Sequence, residues 1–213
     1  MPVSLPELHG LVLAGGRSSR MGRDKAEIAW GPRPQWRAVA DLLRPVCAQV
    51  WWSCTQAQRT AWGVGEAGIL DHAPDLGPAG GLHAAFTRVP DAAWMVVGCD
   101  YPDLGEHDVR ALAAAREPAA EAIAFTAPSG GELDPMLSIW EPPAQRAFLR
   151  LFAAGERSPR RILGSVHLRT IAPRDPATLI DRNTPAVSAR PPLREPSLPM
   201  ASPPGRPPDR APH

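Results

Sequence analysis

Lysine is almost absent from this chain: of 23 basic residues only Lys25 is a lysine, and all the others are arginine. The bias reflects coding composition more than protein physics. Its one exception is nonetheless informative, because an ammonium is a compact point charge on a flexible stem where a guanidinium is a wide planar fork. Cysteine is also scarce. Cys47, Cys54 and Cys99 are odd in number and scattered, which argues against a disulfide framework or a zinc site. Neither charge sign is in excess, with 23 basic and 22 acidic residues and a formal net charge of +1. Nothing electrostatic therefore calls for a nucleic acid or a membrane surface as partner. No apolar run reaches membrane-spanning length, and residues 1–9 lack the basic and apolar regions of a secretory leader. The expectation is a cytoplasmic globular protein, long enough at 213 residues for one good-sized domain.

What is present concentrates near the start, in Leu11-Val12-Leu13-Ala14-Gly15-Gly16-Arg17-Ser18-Ser19-Arg20-Met21-Gly22-Arg23-Asp24-Lys25-Ala26. An apolar run short enough for a buried strand breaks at paired glycines and then carries four cations within nine residues. Glycines let backbone N–H groups approach phosphate oxygens, and the dipoles of such a loop favour negative charge. Arg17, Arg20, Arg23 and Lys25 add charge-assisted donors. A polyphosphate suits this stretch. It is not a Walker loop, since no Gly-Lys-Ser/Thr follows the glycines, and it is not the dinucleotide fingerprint. Gly63-Val64-Gly65-Glu66-Ala67-Gly68 matches that fingerprint by letter. No convincing strand precedes it, however, and a short apolar run follows where a helix should begin, so it reads as a loop.

The rest of the chain alternates strand and helix. His9 to Ala14 is the first strand. Gln35 to about Arg44 has helical spacing of Trp36, Val39, Ala40 and Leu43, and Pro45 ends it before a second strand over Val46 to Trp52. Ile69-Leu70 is a short third strand closed by Asp71. Leu76-Gly77-Pro78-Ala79-Gly80-Gly81-Leu82 reads as a glycine loop leading into a helix with Leu82, Ala85, Phe86 and Val89 on one face. Ala92 to Cys99 is a continuous apolar run, suited to a central strand buried on both faces, and it ends at Asp100. Glu106 to Arg116 is a helix, Glu121 to Ala127 and Leu133 to Trp140 are strands, Ala144 to Ala153 is a helix stopped by Gly155, and Val166 to Ile171 is a last strand. This βαβ-type alternation predicts an α/β fold. In such sheets ligands gather beyond the carboxyl ends of the strands, where Ser53, Asp71 and Asp100 fall. Asp100 is placed to hold a hard divalent cation together with phosphate oxygens, or else starts a turn before Pro102. Asp134-Pro135 is placed near a second substrate. Arg160 and Arg161, behind the cap Ser158-Pro159, meet either an anionic substrate or solvent.

The stretch from Leu13 to Lys25 resembles the signature of molybdenum cofactor guanylyltransferases, Leu-Ala-Gly-Gly-x-Ser-x-Arg-Met-Gly-x-Asp-Lys, and meets all ten of its fixed positions. Gly77-Pro78-x-x-Gly81 and the adjoining Gly80 resemble the family's loop against base and ribose, and Leu179 to Pro185 resembles its closing Asn-Thr-Pro segment. Together these span Leu8 to about Pro185. The resemblance implies a three-layer α/β/α, Rossmann-like nucleotidyltransferase with a mostly parallel central sheet. It implies transfer of GMP from GTP to molybdenum-bound molybdopterin with release of pyrophosphate. Leu13, Ala14, Gly15, Gly16, Lys25, Ser53, Asp71, Gly77, Pro78, Gly80 and Asp100 would then bind the nucleotide, and Arg20, Lys25 and Asp100 would serve catalysis. Where the family usually has asparagine this chain has Ser53, either a nucleotide contact or a strand-ending polar residue. Asp71 is either a nucleotide contact or a turn former. Mg²⁺ is the expected cofactor, held by Asp100 with Asp181 from the far side, and Asn183 would order that closing loop. GTP and molybdopterin are the expected partners, with transient contact to other cofactor-biosynthesis proteins or recipient molybdoenzymes. The alternatives are a CTP-dependent molybdopterin cytidylyltransferase, a sugar-phosphate nucleotidyltransferase, and a nucleotide-binding regulatory or carrier protein without turnover.

The catalytic domain is expected over residues 1–187. Residues 188–213 read as a disordered tail, because nine prolines in the last 23 residues leave no periodicity with which to bury a core. Its Pro-x-x-Pro spacings would suit a proline-reading domain; a dispensable tail is the simpler expectation.

Overall fold

In the computed structural model, residues 4–14, 25–71, 76–126 and 133–180 are described. The expected tail, Asp181, Asn183 and the loop residues Gly15 to Asp24 lie outside them. A seven-stranded sheet runs through the molecule: β1 Leu8–Leu13, β2 Gln49–Cys54, β3 Gly68–Leu70, β4 Ala93–Gly98, β5 Ala122–Thr126, β6 Leu133–Trp140 and β7 Leu168–Ile171. The spatial order is β3-β2-β1-β4-β6-β5-β7. Only β6 is antiparallel to its neighbours, β4 and β5; β3, β2, β1 and β4 form a continuous parallel block. The register is set around β1, with Leu13 opposite both Ser53 and Gly98. The alternation of strand and helix predicted this α/β fold, and the resemblance implied its mostly parallel sheet.

Among the described residues six α-helices complete the layers: α1 Gln35–Leu43, α2 Gln56–Trp62, α3 Pro78–Arg88, α4 Glu106–Ala114, α5 Pro142–Ala153 and α6 Pro159–Leu163. Each strand sends alternate side chains to opposite faces, and β4 shows the consequence. Met95 and Val97 join one core with Val39, Ala40 and Leu43 of α1 and Val109 and Leu112 of α4. Trp94 and Val96 join the other with Leu82 and Phe86 of α3, Phe148 of α5 and Ile162 of α6. All six residues of β4 are buried, which is why its sequence is an unbroken apolar run. On the second face Phe86, Trp140 and Phe148 form an aromatic knot with ring centroids 5.2 to 5.7 Å apart, within the range of favourable tilted and edge-to-face pairs. Arg116, just after α4, forms a buried ion pair at 2.7 Å with Glu141, just after β6, and also donates to the carbonyl oxygen of Pro6, just before β1.

Three local expectations shift. The second strand begins later than Val46, because residues 44–46 form a turn after α1. Helix α2 was not anticipated, for it buries none of its side chains and so has no apolar stripe. Helix α3 begins at Pro78, so Gly80 and Gly81 stand in its first turns and not in a loop.

The cysteines are all buried, and none is in a disulfide. Burial pushes the Cys47 thiol up to about 12 and the Cys54 thiol up to about 11, against weaker opposing pulls from Arg116 and Arg59. In the unfolded chain both would ionise near the ordinary value of 9.0. Above that pH the unfolded state therefore holds fewer protons than the folded one, and stability falls as pH rises. Below pH 9 this contribution is fully present. The decline is expected from about pH 9 to about 11 for Cys54 and to about 12 for Cys47, at up to about 1.4 kcal/mol per pH unit per thiol. Urea midpoints at pH 8, 9.5 and 10.5 check this. A flat midpoint, or no flattening of the decline in Cys47→Ala, would show that the thiols are not its source.

Candidate active site

The carboxyl ends of the four parallel strands present the expected site residues in sheet order. Asp71 follows β3, Ser53 lies near the end of β2, Ala14 follows β1 and Asp100 follows β4. Adjacent strands lie about 4.8 Å apart, so the row from Asp71 to Asp100 extends over roughly 14 Å. That is the scale of an extended nucleoside triphosphate.

At one end of the row is a cavity of about 670 Å³, lined by Asp71, Leu76, Gly80, His83 and Thr87 among others. Ile69 and Leu70 supply apolar wall from β3. The ion pair of Arg59 and Glu66, 2.8 Å long, lies at its margin. Asp100 is not among the lining residues. The cavity runs along β3 and α3 from Asp71 and Gly80 to Gly68, Arg88 and Phe152, and so meets the row at its β3 end.

Helix α3 forms the cover of this region. Gly77 precedes it with φ +57°, a left-handed conformation that favours glycine, and Pro78 occupies the first helical position. In the first turn Pro78 has no N–H, and the Gly80 N–H donates to the carbonyl oxygen of Gly77 at 3.1 Å. Gly81 is fixed for a different reason. A Cβ there would lie 2.4 Å from Ser53 Oγ and 2.9 Å from Leu13 Cδ2. The helix therefore rests on Ser53, which is only 2% exposed. Ser53 is seated under α3, and its small size and the glycine above it are complementary. Gly81→Ala is expected to cost about 1–3 kcal/mol by overpacking this contact, seen as a lowered urea midpoint. An unchanged midpoint would mean that α3 has room to lift.

The junction of β1 with the glycine loop is held by a residue that sequence reasoning missed. Gln58 Nε2 donates to the carbonyl oxygen of Ala14 at 3.3 Å, and the Ala14 N–H donates to Ser53 O at 3.2 Å. Gln58 is itself set by a capping box: its backbone N–H donates to Thr55 Oγ1 at 3.2 Å, and its Oε1 accepts from the Thr55 N–H at 2.8 Å. Thr55-x-x-Gln58 was a readable helix-start signature. Gly15, Gly16 and Arg20 lie outside the described residues. Lys25 opens a single 3-10 turn, Lys25–Glu27, immediately before the buried Ala26.

At the other end of the row, Asp100 is partly buried in a turn directly after β4. Its neighbour Tyr101 is buried, and the Tyr101 hydroxyl donates to Asp134 Oδ2 at 2.6 Å. Asp134, expected near a second substrate, is here bonded to Tyr101 and, through Oδ1, to the Met136 N–H at 2.9 Å. Arg161 pairs with Glu156 at 3.1 Å on the exposed side of α6. Among the described residues no three His, Cys, Asp or Glu side chains converge into a preformed metal cage, and no helix is long and apolar enough to cross a membrane.

Fold and strand-end arrangement define an α/β nucleotidyltransferase. A family described as "MobA-like NTP transferase domain" matches residues 10–171. The chain belongs to that family. It is 32% identical to a probable molybdenum cofactor guanylyltransferase of Chloroflexus aggregans, over 87% of this chain and 93% of the relative. It is 28% identical to a molybdenum cofactor biosynthesis bifunctional protein of Synechocystis, over 86% of this chain but only 53% of that longer protein. The crystal structure of molybdopterin-guanine dinucleotide biosynthesis protein A from Archaeoglobus fulgidus superposes with a TM-score of 0.68 at 18% identity, over 84% of this chain and 94% of the other. At that identity it supports the fold alone.

Proposed function

We propose that this protein transfers GMP from GTP to the terminal phosphate of molybdenum-bound molybdopterin, releasing pyrophosphate. The observation that carries the reading is the Leu13 to Lys25 stretch, joined at Ala14 to the carboxyl end of a strand that pairs with both β2 and β4. The relatives named as guanylyltransferases support the same reaction. The nucleophile is an oxygen of the substrate's own phosphate, so no protein nucleophile is assigned. The chain's task is positioning and charge compensation. In this reading the base enters the cavity beside Asp71 and Gly80, and the backbone N–H groups of Gly15 and Gly16 meet the phosphates. Guanine offers N1–H and an amino group, and the Asp71 carboxylate, which lines the cavity, accepts from these or from the ribose hydroxyls. Arg20 and Lys25 hold the triphosphate and balance the charge that grows on the departing pyrophosphate. Asp100 would hold Mg²⁺, which would supply positive charge to offset that of the triphosphate. The expected setting is the cytoplasm, with delivery of the product to recipient enzymes by transient contact.

The test is direct. Purified protein is incubated with GTP, Mg²⁺ and molybdenum-loaded molybdopterin. Pyrophosphate and the guanine dinucleotide, followed by mass, are expected in equal amounts. Tight GTP binding without either product would make the protein a binder.

A further inference from the structure

Asp100 stands in the turn between β4 and Pro102, and the residues packed around that turn set where its carboxylate sits. We propose that Gln35, Tyr101 and Asp134 form a brace that positions Asp100 against the Lys25 segment, with Asp134 and Gln35 acting as positioning residues. The inference rests on the functional reading given above.

The brace is visible as a chain of contacts. Tyr101 is covalently next to Asp100 and is held at two points. Its hydroxyl donates to Asp134 Oδ2 at 2.6 Å, and its carbonyl oxygen accepts from Gln35 Nε2 at 3.2 Å. Both bonds are buried, as are Gln35, Tyr101 and Asp134. Asp134 is fixed in turn, because its other carboxylate oxygen accepts the Met136 N–H at 2.9 Å. On its backbone side Gln35 donates to the carbonyl oxygen of Ile28 at 3.0 Å. Ile28 directly follows the Lys25–Glu27 turn. One residue at the start of α1 therefore binds both the segment that carries Lys25 and the turn that carries Asp100. The third point, Asp134, comes from the start of β6, the one strand that runs against its neighbours.

The chemistry explains the choice of groups. A carboxylate–phenol bond of 2.6 Å is charge-assisted and short, and stronger than a neutral pair. Groups behind a metal ligand set its orientation, and their loss typically weakens metal binding or activity 10- to 100-fold. Buried polar groups that only stabilised the fold would have no reason to converge on the residue beside Asp100 and on the Lys25 segment together.

The test uses Mn²⁺ as a probe, titrated by electron paramagnetic resonance into the full-length protein with a non-hydrolysable GTP analogue. Tyr101→Phe removes only the hydroxyl and is expected to weaken Mn²⁺ about tenfold and to lower kcat by a similar factor. KM for GTP at saturating metal should stay within about twofold, since the base and ribose contacts are remote from the brace. Asp134→Asn keeps both links with one reversed, its amide oxygen accepting the Met136 N–H and its amide nitrogen donating to the Tyr101 hydroxyl oxygen, and is expected to hold Mn²⁺ within about threefold of wild type, whereas Asp134→Leu should match Tyr101→Phe. Wild-type Mn²⁺ affinity in both Tyr101→Phe and Asp134→Leu, even with a lowered melting temperature, would overturn the brace. The Asp100→Asn control separates the two levels. If it too binds Mn²⁺ normally, the metal reading fails and the brace falls with it. If it binds weakly while Tyr101→Phe binds normally, the brace alone is wrong.

Discussion

Lys25→Ala is expected to lower kcat by a hundredfold or more while melting at the wild-type temperature. Removing a preorganised charge from a site where negative charge develops costs on the order of 3 kcal/mol. No other lysine exists in the chain to substitute for it. The backbone there is held independently of the side chain, by the buried Ala26 and by the bond from the Gln35 N–H to Ile28 O, so the fold should persist. Lys25→Arg sharpens the test. A guanidinium is broader and less easily seated between phosphates than an ammonium, and a fall of at least about tenfold is expected. If Lys25→Ala turns over normally, the loop does not act on the triphosphate. If arginine serves equally, the site does not select a point charge.

Asp100→Asn is the second large effect. It keeps the shape of the side chain and removes the charge that draws a hard cation. Turnover at limiting Mg²⁺ is expected to fall about a hundredfold, equal to about 2.7 kcal/mol of transition-state stabilisation. Part of the loss should return at high Mg²⁺. A wild-type rate at limiting Mg²⁺ would make Asp100 a turn former and nothing more.

The parts of this molecule that were legible in the sequence share a physical reason. Strand β4 is buried on both faces, so its composition alone identified it and located Asp100 at its end. The glycine and arginine stretch after β1 was legible because so many constrained positions fall together. What stayed hidden lacked a local signal. Helix α2 buries nothing, so only its capping box marked it. The start of α3 was masked by Gly80 and Gly81, poor helix formers; Gly81 is required by the closeness of Ser53, a contact between residues 28 positions apart in the chain. The brace is more distant still. Gln35, Tyr101 and Asp134 meet only because β6 returns beside β4 and α1 packs against the same face. No periodicity or spacing marks such a meeting.

The proposal of GTP as the nucleotide rests on the Leu13-Ala14-Gly15-Gly16 form of the loop, which resembles the guanylyl branch, and on the cavity beside Asp71. A purine needs space for two rings, and a carboxylate accepts from the N1–H and amino group of guanine but finds an acceptor at N1 of adenine. A mismatched buried partner costs roughly 1–3 kcal/mol, so discrimination of at least tenfold is expected. The decisive measurement is pyrophosphate release from GTP, CTP, ATP and UTP at equal concentration, with molybdenum-loaded molybdopterin and Mg²⁺ in each. GTP is expected to be the fastest by tenfold or more. A faster rate with CTP would contradict the guanylyl reading and make the protein a cytidylyltransferase.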